Sequence, residues 1–100
     1  MEDTMKTPII VLVIYDYYNG DKDSEVSLFL DMEKAKAHGK KLAGNYLKNN
    51  DLTAKDFQGE FDTFNELEDD SGYWFNTWSD KTYNKYIVAV YEGKFEDTCQ

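Results

Sequence analysis

The run Ile9-Ile10-Val11-Leu12-Val13-Ile14-Tyr15 is apolar and mostly β-branched, with no alternation of polar positions. Such a run predicts a strand buried on both faces, or central in its sheet. Asn19-Gly20 and the polar stretch through Ser24 interrupt it, and Val26-Ser27-Leu28-Phe29-Leu30 resumes strand character. The two runs predict a hairpin with a loop longer than two residues.

The period then changes. Ala35, Gly39, Leu42, Ala43, Tyr46 and Leu47 recur at helical spacing, and Asp31 stands where an N-cap would accept a backbone hydrogen bond. Lys34, Lys41 and Lys48, seven apart, form a stripe away from that face. Gly39 and Gly44 each weaken a helix by about 1 kcal/mol relative to alanine, so close packing of helix on sheet is their expected use.

Thr53 and Asp56 have the spacing of a reciprocal cap, with Leu52 and Phe57 placed as a hydrophobic staple. Phe57, Phe61, Phe64 and Leu67 follow at steps of four, three and three, which predicts a second amphipathic helix. Its outer face would carry Asp62, Glu66, Asp69 and Asp70. Gly72 would end it in a left-handed conformation, and Gly59 could divide it into two pieces. Tyr73–Trp78 and Tyr83–Tyr91 then read as a second hairpin across Ser79-Asp80-Lys81. In the last strand Tyr86, Val88 and Val90 share one face, and Ile87, Ala89 and Tyr91 the other.

The expected fold is α+β: one domain over residues 1–100 in β-β-α-α-β-β order, a mostly antiparallel four-stranded sheet with both helices on one face. Ile9–Tyr17 and Tyr83–Tyr91 should be central neighbours, and residues 1–7 and 97–100 frayed tails.

Charge sharpens this picture. The net charge is −9, from 20 acids and 11 bases, and every base is lysine. Arginine is the preferred bidentate reader of phosphate and guanine, and phosphate neutralisation supplies much of nucleic-acid affinity. Direct nucleic-acid binding is therefore not expected. Residues 31–50 balance to +3 and residues 51–80 to −8, so the acid is concentrated around the second expected helix. A row of Asp62, Glu66, Asp69 and Asp70 could meet a basic partner protein, even mimicking nucleic-acid charge; an amphipathic helix also needs a solvated face. Trp74 and Trp78 alternate along one strand, either filling the core or forming a contact patch on the sheet's other face.

Other chemistry is weakly signalled. Asp21, Asp23 and Glu25 are spaced two apart as in calcium loops, but the glycine at the sixth position is missing and Met32 falls at the twelfth. His38 is the single histidine and Cys99 the single cysteine, so no metal site, disulfide or catalytic pair is expected, and no cofactor. Ile9–Tyr15 is far too short for a membrane span, and the start of the chain is acidic rather than basic. A cytoplasmic setting fits best. Small, acidic, arginine-free chains of this kind resemble in style the accessory proteins of phages and mobile elements, many of which block a surface of a host enzyme. The expected function is a non-catalytic protein-binding module that inhibits or regulates a partner, using Asp62, Glu66, Asp69, Asp70, Trp74 and Trp78. The alternatives are a small-molecule site lined by aromatics between sheet and helices, near Trp74, Trp78 and Tyr86, and a structural homo-oligomer.

Overall fold

The structure, a computed structural model, describes residues 7–80 and 82–93. Cys99 and the expected frayed ends, apart from Thr7, lie outside the described residues. Within them the chain forms β1 (Ile9–Asp16), β2 (Lys22–Phe29), α1 (Met32–Asn49), a 3₁₀ turn (Ala54–Phe57), β3 (Thr63–Asp69), β4 (Gly72–Ser79) and β5 (Asn84–Glu92). The strands make one antiparallel sheet in the order β2-β1-β5-β4-β3. The α+β class holds, but with five strands and one helix rather than four and two.

The two runs read as buried on both sides are indeed neighbours inside the sheet. β1 pairs with β5 from Ile9 opposite Glu92 to Asp16 opposite Lys85. Ile9, Val11 and Val13 of β1, Tyr86, Val88 and Val90 of β5, and Tyr73 and Phe75 of β4 point to the helix side and are buried there. α1 covers this side with Ala35, Gly39, Ala43 and Tyr46. A Cβ on Gly39 would come within 2.7 Å of Val90 Cγ2 and 3.3 Å of Val88 Cγ1, so this glycine lets the helix axis approach the sheet. Gly44 does nothing of the kind, because no atom lies within 4 Å of its Cβ position.

α1 starts where expected, with the Asp31 carboxylate accepting from the Lys34 N–H at 3.2 Å. It ends in a Schellman arrangement: the Asp51 N–H reaches the Lys48 carbonyl, and the Leu52 N–H reaches the Leu47 carbonyl. Asp51 occupies the left-handed position of that motif, at φ 55°.

The expected second helix does not form. Its start signal is real: the Thr53 N–H donates to Asp56 Oδ2 at 2.8 Å, and Leu52 and Phe57 are buried. Yet it winds only a single 3₁₀ turn. The Asp62 carboxylate then binds the Gly59 N–H at 2.8 Å and the Asp80 N–H at 2.7 Å, which turns the chain into the edge strand β3. The apparent helical period was a coincidence of two elements. Phe57 comes from the 3₁₀ turn and Phe64 from β3, where their tilted rings meet 5.3 Å apart, while Phe61 and Leu67 are exposed. Gly72 is no helix terminator. It opens β4, where a Cβ would collide with the Val90 carbonyl oxygen.

The residues with calcium-like spacing are also strand residues. Apart from Asp21 they lie in β2, whose alternation sends Asp23 and Glu25 to one face and Lys22 and Ser24 to the other. Among the described residues no helix is long and apolar enough to cross a membrane.

Candidate functional site

A five-stranded sheet with one helix has a second face, and the register defines its composition. Reading across β2, β1, β5, β4 and β3, four rows of side chains point away from α1. The first is Lys22, Asp16, Lys85, Trp78 and Thr63, and the second Ser24, Ile14, Ile87, Asn76 and Asn65. Val26, Leu12, Ala89, Trp74 and Leu67 form the third; Leu28, Ile10, Tyr91, Gly72 and Asp69 form the last. No element of the described chain covers this surface. Val26 is 61% exposed and Leu28 and Leu67 are each 67% exposed, while Ile14, Trp74 and Tyr91 remain well exposed. Between Leu12, Leu67, Trp74, Ala89 and Tyr91 the surface dips into an open cavity of about 690 Å³, with Asp69 at its rim.

Both tryptophans lie on this open face and not in the core. Trp78 continues into a small aromatic cluster at one end of the sheet, with its ring 6.0 Å from Tyr83, which is in turn 5.7 Å from Tyr18. Sequence reasoning found the tryptophans but missed their company. Val26 and Leu28 read in sequence only as strand residues, and Ile10, Leu12 and Ile14 as part of a strand buried on both faces or central in its sheet. Helices expected on one face already leave the other face bare. What the sequence does not announce is the register, which sets Val26, Leu12, Ala89, Trp74 and Leu67 side by side across all five strands.

The four acids fall elsewhere and do different work. They line β3 and its ends, an edge of the sheet rather than a helix face. Asp62 holds two backbone amides, as described above. Glu66 and Glu68 point to the helix side; Glu66 Oε2 accepts from the Tyr73 hydroxyl at 2.6 Å. Glu68 bridges Lys40 at 2.5 Å and Lys36 at 3.3 Å. Lys36 is almost fully buried at the base of α1, where it also meets Glu33 at 3.3 Å and donates to the Asp69 carbonyl at 3.0 Å. Asp69 Oδ1 accepts from the Ser71 N–H at 2.8 Å and its hydroxyl at 2.7 Å, fastening the β3–β4 turn. Asp70 is exposed at that turn.

Titration reflects these bonds. The Lys40 ammonium, with help from Lys36, holds the Glu68 carboxyl below its usual range, and the Ser71 hydroxyl does the same for Asp69. Burial opposes the charge on Lys36, but its bonds to Glu33 and Glu68 prevail and leave it raised. Burial, then the hydrogen bond to Glu66, pushes the Tyr73 phenol upward. Acids of this kind also blunt an exposed sheet edge against strand addition.

The small-molecule alternative loses its proposed walls. Trp74 and Trp78 lie on one side of the sheet, and Tyr86 lies on the other, stacked on Tyr46 at 4.2 Å. Near Tyr86 there is a separate cleft of about 370 Å³ beside Tyr17, Tyr46, Asn45 and Asn49. Among the described residues no three His, Cys, Asp or Glu side chains gather as metal ligands would. Compared with known proteins, the chain matches no family model, no curated protein and no solved structure.

Proposed function

We propose that this chain is a non-catalytic protein-binding module that inhibits or regulates a partner by covering part of its surface, and that the open sheet face is its contact surface. One observation carries the reading: a contiguous apolar sheet face, with Trp74 and Trp78 on it, is left uncovered by the described residues. Monomeric proteins seldom expose a contiguous apolar patch beyond a few hundred Å² unless it serves an interaction. Tryptophan and tyrosine supply much of the binding energy at such surfaces because their rings bury a large rigid area. Asp69 at the rim of this face and Asp62 and Asp70 at the ends of β3 flank the interface, with Glu66 turned to the helix side of the same edge. Their charge favours a partner with basic residues beside its apolar patch. Mimicry of nucleic-acid charge is a narrower form of this reading.

Immobilised protein exposed to cell lysate tests it, with Trp74→Ser and Trp78→Ser variants run alongside. The expected outcome is a defined partner, retained by the native chain in both low and high salt and lost by the tryptophan variants. Retention of the same partner by both variants removes the open face from the proposal. Loss in high salt alone transfers the contact to the acidic edge.

A further inference from the structure

We infer that in the free protein the open sheet face is occupied by a second copy of this chain, packed face to face across a two-fold axis that runs across the strands. The inference rests on the open face being a protein-contact surface, as proposed above, and names its occupant when no other partner is present; a partner would then exchange for that copy.

Three features argue for a second copy. The first is area. Five strands about 4.8 Å apart and about seven residues long span about 24 by 23 Å, at about 3.3 Å per residue. Two such faces hide roughly 1,100 Å² before side-chain relief is counted, at the threshold of the specific-interface range. Sheets pack face to face in this manner in sandwiches, with their strands within about 30° of alignment.

The second is charge. The rows on the open face hold two lysines, Lys22 and Lys85, and two aspartates, Asp16 and Asp69. They cancel, so the whole net charge of −9 is carried by residues off this face. A basic partner would find no excess of acid here, whereas a second copy meets a neutral surface like its own.

The third is the choice of axis. An axis running along the strands would set β5 on its copy in the same direction and bring Lys85 over Lys85. The axis across the strands reverses β5 on itself. Lys85 then lies over Tyr91 of the other copy, and Ile87 over Ala89, each contact made twice as an isologous interface requires. An ammonium over a tyrosine ring is favourable, two facing ammoniums are not. The same rotation sets the lysine-bearing end of each sheet towards the end that carries Asp69 of the other.

Sedimentation equilibrium on the full chain is the test, at low and high salt. The expected mass is twice 11.7 kDa. Association should strengthen as salt rises, because salt screens the repulsion between two chains of net charge −9. Val26→Lys combined with Leu67→Lys should raise the dissociation constant at least tenfold with an unchanged circular dichroism spectrum, since both side chains are mostly exposed in the single chain. Phe61→Lys, at an exposed position outside the strands, should leave the dimer intact. A dimer that survives the Val26/Leu67 change means that the copies meet elsewhere, which overturns the inference. A monomer at every concentration also overturns it. If that monomer still captures a partner through Trp74, the protein-contact reading stands; if Trp74→Ser changes nothing, both fall.

Discussion

Asp51 sits in the left-handed position that ends α1, with φ 55° and its carboxylate beside the negative end of the helix dipole. A residue with a Cβ is strained there, and an anion is unfavourable at a helix C-terminus. Asp51→Gly should therefore stabilise the fold by about 1 kcal/mol, read as a higher midpoint in urea with an unchanged slope. The cap was hidden in the sequence for this reason: glycine is the usual sign of a helix end, and here aspartate takes its place. Asp31 was legible because its type and position agree with an N-cap. Asp62, Glu66 and Asp69 were legible only as charge. Asp62 reaches the Asp80 N–H and Glu66 the Tyr73 hydroxyl, contacts between separate segments that no local pattern announces. Asp69 turns to Ser71, two residues on, only because a strand ends there instead of a helix.

Between α1 and the sheet, two glycines that look alike in sequence have opposite roles. Gly39→Ala drives a methyl group into Val90 and should destabilise the protein by about 1–3 kcal/mol, the usual cost of overpacking. Gly44→Ala meets open space and should stabilise it by about 1 kcal/mol. Thermal melts of the two single variants, shifting in opposite directions, would check the pair. Their difference depends on which helix face touches the sheet, and that face was readable from Ala35, Ala43 and Tyr46. The fifth strand was not. β3 is an edge strand with Phe64 as its core contact, and polar or acidic residues fill its other positions except Leu67, so no apolar alternation marks it. Four strands, the first helix and the pairing of β1 with β5 were legible because each has either a long apolar run or a sustained helical period.

For the whole molecule, proton binding sets the stable range of pH. Glu68 and Asp69 are depressed, so they favour the folded state above the ordinary carboxylate range. That contribution falls away below about pH 4 as they are protonated. At the other limit Tyr17 is pushed up to about 12, by burial first and then by the rings of Tyr46 and Tyr86. Tyr46, Tyr73 and Tyr86 are raised as well, chiefly by burial. Phenols in the unfolded chain ionise near pH 10, so their stabilisation is complete below that value and lost as pH rises through the folded values. Stability measured in urea across pH should form a plateau with an acid and an alkaline limb. Glu68→Gln should flatten the acid limb, and the tyrosinate band of the buried rings should appear together with unfolding.

The order β2-β1-β5-β4-β3 also has a consequence for how the chain assembles. β3, β4 and β5 form a meander of neighbours in sequence, and β1 with β2 forms a second local hairpin. One seam joins the two units: β1 against β5, from Asp16 opposite Lys85 to Ile9 opposite Glu92, partners far apart along the chain. Local hairpins close quickly, whereas closing a long loop costs entropy before any contact repays it. During synthesis β1 and β2 emerge first, yet the inner edge of β1 has no partner until the ninth decade of residues has left the ribosome. Until then the most apolar strand of the protein is an open edge. Of the five described strands, β5 is made after the other four and closes the sheet.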